Sequence, residues 1–133
     1  MTEIEKGYLA GIIDGEGTIT LTKDKEFRYP SVSVSSTTFN IVDYLHKTFG
    51  GVVTQRKEQN RNPNWKQAYV WKVERRVAIS LLEEITPYLL EPRKKARAEL
   101  ILANYIRLTP RNGRYNEVTR RTKHEFEDKF FEL

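Results

Sequence analysis

Tyr8-Leu9-Ala10-Gly11-Ile12-Ile13-Asp14-Gly15-Glu16-Gly17 carries an apolar helical pattern with small residues straight into a glycine-rich turn that holds two acids. Upstream, Ile4 joins Tyr8, Leu9, Ile12 and Ile13 at helical spacing, so a helix is expected over residues 3–14. Ala10 and Gly11 at its centre would let a second helix approach backbone to backbone. An amphipathic helix has no other use for such a glycine, which costs roughly 1 kcal/mol relative to alanine in a helix interior. Gly15 and Gly17 permit a tight exit and leave Glu16 at the helix end. A docking surface and an exposed acid are thus made by one element.

The order of elements follows outward from this stretch. Residues 18–22 alternate, Ile19 and Leu21 on one side and Thr18, Thr20 and Thr22 on the other, and residues 29–36 repeat the pattern with Val32 and Val34 against Ser31, Ser33 and Ser35. Joined by the charged turn Lys23-Asp24-Lys25-Glu26, they read as a hairpin. Thr38 or Asn40 can cap a second helix bearing Ile41, Val42, Leu45 and Phe49, which Gly50-Gly51 ends. A second hairpin is expected from strands at 52–57 and 65–74, where Tyr69, Trp71 and Val73 alternate with Val70 and Lys72, leaving the inward face open. Ile79, Leu82 and Ile85 mark a third helix from Arg76 to near Pro87, residues 93–108 a fourth, and Phe126 and Phe130 a charged last helix. The expected class is α+β: an αββαββα unit whose four-stranded antiparallel sheet is covered by helices on one face, with further C-terminal helices.

Composition narrows the function. At 133 residues the chain is expected to form one domain, residues 1–133, too short to contain two catalytic halves. Its 23 Lys and Arg against 18 Asp and Glu give a net charge of +5, which suits a polyanionic partner. With no cysteine, disulfides, thiolate zinc sites and cysteine nucleophiles are excluded, and with only two histidines, His46 and His124, a histidine-based zinc site is not expected. No apolar run approaches the roughly 20 residues that cross a bilayer and no signal pattern opens the chain, so an intracellular, soluble protein with no membrane partner is expected.

The nine residues Leu9 to Gly17 resemble the signature of the LAGLIDADG homing endonucleases, with Ile12 for the usual leucine, Gly15 for a frequent alanine and Glu16 for the final aspartate. The resemblance implies a homodimer of the single-motif type, joined through Tyr8, Leu9, Ala10, Gly11 and Ile12. It implies a long pseudo-palindromic double-stranded DNA site cut on both strands across the minor groove, leaving 3′ overhangs, and an intron-encoded role in intron homing. The cofactor it implies is Mg²⁺, with Mn²⁺ a substitute and Ca²⁺ supporting binding without cleavage, held by Glu16 and the Gly15 carbonyl; glutamate keeps the oxygen ligands that Mg²⁺ requires. In this family the sixth position, Asp14 here, is commonly structural.

The resemblance also implies a basic residue after the last proline-aromatic-leucine segment, here Pro87-Tyr88-Leu89: counting from Pro87 gives Pro92, whereas matching Ala98-Glu99-Leu100, with a two-residue insertion, gives Lys94, with Arg93 and Lys95 as substitutes. The resemblance further implies that a polar residue at the end of the second strand, often glutamine or lysine in this family and aligned here with Ser36 or its neighbour Thr37, contacts the nucleophilic water. The free sheet face implies DNA contacts from Thr18, Thr20, Thr22, Ser31, Ser33, Thr54 and Arg56, extended by Arg28, Lys66 and Lys72, with arginines reading guanine and lysines holding phosphates. Two other readings stay open: an RNA-binding maturase acting on its own intron RNA, or a non-cleaving nucleic-acid-binding protein of the same fold; and a small basic interaction module whose Gly-x-Gly turn is structural.

Overall fold

A computed structural model describes residues 1–56 and 66–133. Helix α1 (Glu3–Glu16) opens with a reciprocal cap in which the Glu5 amide donates to the Thr2 hydroxyl and the Thr2 amide to the Glu5 carboxylate. It runs two residues past the expected end and passes into β1 (Gly17–Asp24) with no intervening loop. Gly17 is extended, with φ −94° and ψ 167°. Its glycine is required by a close approach and not by left-handed backbone, since a Cβ there would lie 2.6 Å from Ile13 Cα. Gly15 is helical and open to solvent, so the tight exit rests on Gly17 alone.

Strands β1 and β2 (Phe27–Ser36) pair antiparallel from Gly17↔Val34 to Asp24↔Phe27, with only Lys25 and Glu26 between them. The expected four-residue charged turn is therefore half strand. Helix α2 (Phe39–Phe49) begins at Thr38, whose side chain makes no cap; instead the Ser36 hydroxyl accepts the Thr38 amide at 3.0 Å. Gly50 and Gly51, at φ 78° and 83°, turn the chain into β3 (Val52–Gln55). Strand β4 (Tyr69–Glu74) inserts between β2 and β3, giving the order β1-β2-β4-β3. The rest of the expected second hairpin, residues 57–65, lies outside the described residues.

Helix α3 (Arg75–Ile85), a 3₁₀ turn (Thr86–Tyr88), α4 (Pro92–Asn104) and α5 (Glu117–Phe131) complete the order. Helix α4 stops four residues before the expected end, and Thr109 closes the turns after it by donating to the Tyr105 carbonyl. The five described helices pack on one face of the sheet, where Ile19, Leu21, Val32, Val34, Trp71 and Val73 meet Leu9, Ile13, Val42, Leu45, Leu82 and Ile101 in a continuous core. Trp71 and Val73 settle the inward face of β4, and the Trp71 indole donates to the Gly50 carbonyl at 2.8 Å. The fold is α+β with the αββαββα order and a four-stranded antiparallel sheet.

One buried cation anchors the C-terminal helix. Lys123, 2 % exposed on a helix read from sequence as merely charged, donates to the Thr109 and Tyr115 hydroxyls and lies within about 5 Å of the Phe27, Tyr105 and Tyr115 rings. Burial pushes its ammonium below the ordinary lysine range, and the negative charge of Glu127 opposes that shift. Glu127, itself buried, accepts the Arg28 amide at 3.0 Å, so α5 is pinned to the first hairpin by charge as well as by Phe126 and Phe130.

Gly17→Ala is expected to destabilise the chain by roughly 1–3 kcal/mol, because the added methyl meets helix backbone that cannot yield. Gly51→Ala should do the same through the Lys72 carbonyl, 2.6 Å from its Cβ, and urea unfolding of both variants checks the pair.

Candidate nucleic-acid interface

The loop-free junction sets where Glu16 stands. Its carboxylate is exposed at the C-terminal end of α1, one residue from the first rung of the sheet. Behind it, Asp14 points into the protein: its carboxylate accepts the Leu90 amide with both oxygens, at 3.2 and 3.1 Å, and the Glu91 amide at 3.0 Å. Glu91 in turn caps α4 by accepting the Arg93 and Lys94 amides. Helix α4 is thereby aimed so that Lys94 Nζ donates to the Ile13 and Asp14 carbonyls, each at 2.8 Å. These carbonyls are the negative end of the α1 dipole, and Lys94 neutralises them. Of the three basic candidates only Lys94 is seen reaching α1; Arg93 turns away to the Leu133 carbonyl.

Strand alternation sorts the remaining candidates. Thr18, Thr20, Thr22, Ser33 and Lys72 lie on the face opposite the helices, paired as Thr18↔Ser33 and Ser33↔Lys72, and Thr54 joins them opposite Val70. Arg56 and Lys66 are exposed beside this face, Arg56 donating its amide to the Ala68 carbonyl. Ser31 shares the parity but is 2 % exposed between Thr20 and Glu74, so it has no surface to offer a ligand. Arg28 lies on the helix side: its guanidinium donates to the Leu21 carbonyl at 3.2 Å and stacks over Phe131, which removes it from the free face. Ser36 also has helix-side parity, with Val32 and Val34, and its hydroxyl is engaged by Thr38. Its neighbour Ser35, paired with Val70, lies on the free face.

The strand pattern alone missed Arg75. Its guanidinium lies on the free face, 4.0 Å above the Tyr29 ring and 2.9 Å from Asp24 Oδ2. Tyr29 titrates above the ordinary phenol range, first from burial and then from the adjacent Glu74 carboxylate. Arg75 follows the last residue of β4, so period-two counting did not place it on either face.

The expected docking surface on α1 divides. Leu9 and Ala10, 0 % and 1 % exposed, are spent in the protomer's own core and leave nothing for a partner. Ile12 is half buried, while Tyr8 and Gly11 are exposed together with Ile4, Gly7 and Gly15. Gly7, Gly11 and Gly15 recur every four residues, and a Cβ on any of them would meet nothing within 4 Å. The small-residue stripe is therefore this glycine row and not Ala10-Gly11, a spacing visible in the sequence once the buried side is known.

Oxygen donors cluster at the same end of α1, from the Glu16 carboxylate and the terminal carbonyls, a set suited to a hard divalent cation. The Lys94 ammonium seated on two of those carbonyls shows that the end attracts positive charge. Among the described residues no group of three or more His, Cys, Asp or Glu is placed to hold a metal ion.

The α+β order and the four-stranded antiparallel sheet match the fold of solved LAGLIDADG homing endonucleases. The chain belongs to the LAGLIDADG-like domain family, whose profile matches residues 3–86. Its fold is similar to that of the homing endonuclease I-CvuI, solved with the I-CreI target in the presence of Mg, at 22 % identity and a TM-score of 0.73 over 97 % of this chain and 81 % of that one. I-TnaI, another homing endonuclease, aligns at 16 % identity and a TM-score of 0.67, covering 93 % and 86 %. The archaeal intron-encoded homing endonuclease I-Vdi141I, solved with DNA, aligns at 15 % and 0.52 over 98 % and 99 %. No curated protein matches the sequence. No described helix is long and apolar enough to cross a membrane.

Asp14→Ala removes the acceptor for two backbone amides and is expected to lower stability by about 1–3 kcal/mol, measured by denaturant unfolding. Asp14→Asn, which keeps one oxygen acceptor, should recover part of that loss.

Proposed function

We propose that the chain is a site-specific DNA endonuclease that works as a homodimer and cuts both strands of a long, pseudo-palindromic duplex with Mg²⁺, in the service of intron homing. The observation that carries this reading is the exposed Glu16 carboxylate at the end of a helix whose outer face is a glycine row. A single acid is insufficient for a metal centre, and a twofold pairing of α1 along Gly7, Gly11 and Gly15 brings two such acids together. Ile4, 85 % exposed, and the exposed Tyr8 and Leu90 border that row and would gain cover by the same pairing.

In the assembled site Glu16 and its symmetry mate, with the Gly15 carbonyls, would hold divalent cations. Such a cation supplies an activated water and neutralises charge developing on the phosphate. Lys94, held on the α1 carbonyls by an α4 that the Asp14–Leu90 and Asp14–Glu91 bonds position, would place a positive charge beside the reacting phosphate. At the end of β2, Ser36 or its free-face neighbour Ser35 would supply the hydroxyl that orders the attacking water. Thr18, Thr20, Thr22, Ser33, Thr54 and Lys72 supply the hydroxyls and charge that meet base edges and phosphates in the major groove, with Arg56 and Lys66 at its margin.

Two outcomes test the reading. Glu16→Gln should abolish Mg²⁺-dependent cutting of a randomised duplex library while Ca²⁺-supported binding persists; binding without cutting by the parent chain would favour a non-cleaving member of the family. Gly11→Leu should halve the mass seen by light scattering, because a leucine at this open position disturbs nothing inside the protomer but blocks close helix approach. An unchanged mass for both chains at the dimer value would move the interface elsewhere.

A further inference from the structure

Arg75 is held in a conformation that an arginine adopts reluctantly. Its φ is 58°, in the left-handed region, where a Cβ crowds the carbonyl and glycine is the relaxed choice. Arginine at such a position is unfavourable unless its side chain is used, and outliers of this kind cluster at ligand contacts. This outlier redirects the residue after β4 across the free face of the sheet. The guanidinium then lies flat on Tyr29 from β2, 4.0 Å from the ring centre, and is clamped edge-on by Asp24 from β1 at 2.9 Å. Tyr29 and Asp24 share the parity of Thr20 and Thr22, so all three groups belong to the surface assigned to DNA. More than half of the Arg75 side chain is exposed, which leaves its remaining N–H donors turned to solvent.

We infer that Arg75 is a base-reading residue, specific for guanine, at the outer end of each half-site. The inference rests on the reading of this sheet face as a duplex-DNA surface. Its chemistry separates it from a phosphate anchor. Asp24 cancels the charge of Arg75, so the pair gains little from a phosphate and contributes little to counterion release. What the pair retains is a planar donor fork fixed in orientation by a ring below and a carboxylate beside it, the geometry that guanine O6 and N7 accept. Glu74 and Lys72, 3.7 Å apart on the same face and in register with Thr20 and Thr18 across Ser31 and Ser33, form a second neutralised pair, so this face carries directed hydrogen-bonding groups with little net charge. Between Glu16 and Asp24, β1 itself presents the threonine hydroxyls of Thr18, Thr20 and Thr22 on this face.

Arg75→Gly separates structure from recognition, because glycine relaxes the backbone while removing the fork. Sequencing of duplexes retained from a randomised library in Ca²⁺, with the parent chain alongside, should show a guanine preference at one symmetric pair of positions that the variant loses by roughly ten- to hundredfold. Its thermal midpoint should be unchanged or higher by up to about 5 °C. The dependence of affinity on salt should keep its slope. Asp24→Asn should weaken the same base preference yet steepen the salt dependence, since it leaves the arginine charge uncompensated. Equal weakening on every sequence with a slope reduced by about one would make Arg75 a phosphate contact, and a lowered midpoint with parallel loss of all binding would make it a structural residue; either overturns the inference. If the parent selects a sequence and Arg75→Gly selects it equally well, only the Arg75 inference fails. If the parent selects no duplex, the reading of the sheet face fails with it.

Discussion

The approach of Gly17 to the Ile13 backbone governs the rest of the molecule. Because no side chain separates them, α1 turns directly into β1, and a helix that contributes Leu9, Ala10 and Ile13 to the core delivers its last residue to the edge of the sheet. An acid at that edge cannot be buried by the protomer, since the elements that could cover it lie behind the sheet. Asp14 and Lys94 then fasten α4 to the same point from the other side, one through amides and the other through carbonyls. The end of α1 is thus held by its own cap, by a carboxylate clamp and by an internal cation, while Glu16 alone is left outward.

Most of the fold could be read from hydrophobic period because each element has one buried side. Ile19 and Leu21 against three threonines, or Val32 and Val34 against three serines, leave no ambiguity of face, and Trp71 and Val73 needed only the register to be settled. The motif helix was legible in kind but not in rotation. All of Leu9, Ala10 and Gly11 are compatible with a helix contact, and only the packing of the protomer decides that Leu9 and Ala10 are spent internally, leaving the glycines at every fourth position outside.

The misplaced residues have a common cause: counting along one strand ignores what the neighbours do with a side chain. Arg28 was assigned to the free face by its charge, but its parity and the Phe131 ring place it under α5. Ser31 has the right parity and is sealed by flanking side chains. Arg75 escaped because a left-handed residue breaks the alternation that the counting assumes. Lys123 escaped because the aromatic rings that receive it come from three separate parts of the chain.

The absence of a loop between α1 and β1 also has a mechanical meaning. A hinge needs residues that can change φ and ψ without losing packing, and the junction has none: Glu16 is still helical, Gly17 is already paired, and the space between helix and strand is closed. Helix and sheet therefore move as one lever. Any body seated on the outer face of α1 sets the tilt of the strands in the same motion, so the inclination and spacing of the free face are decided at the helix, some distance from the side chains that line it.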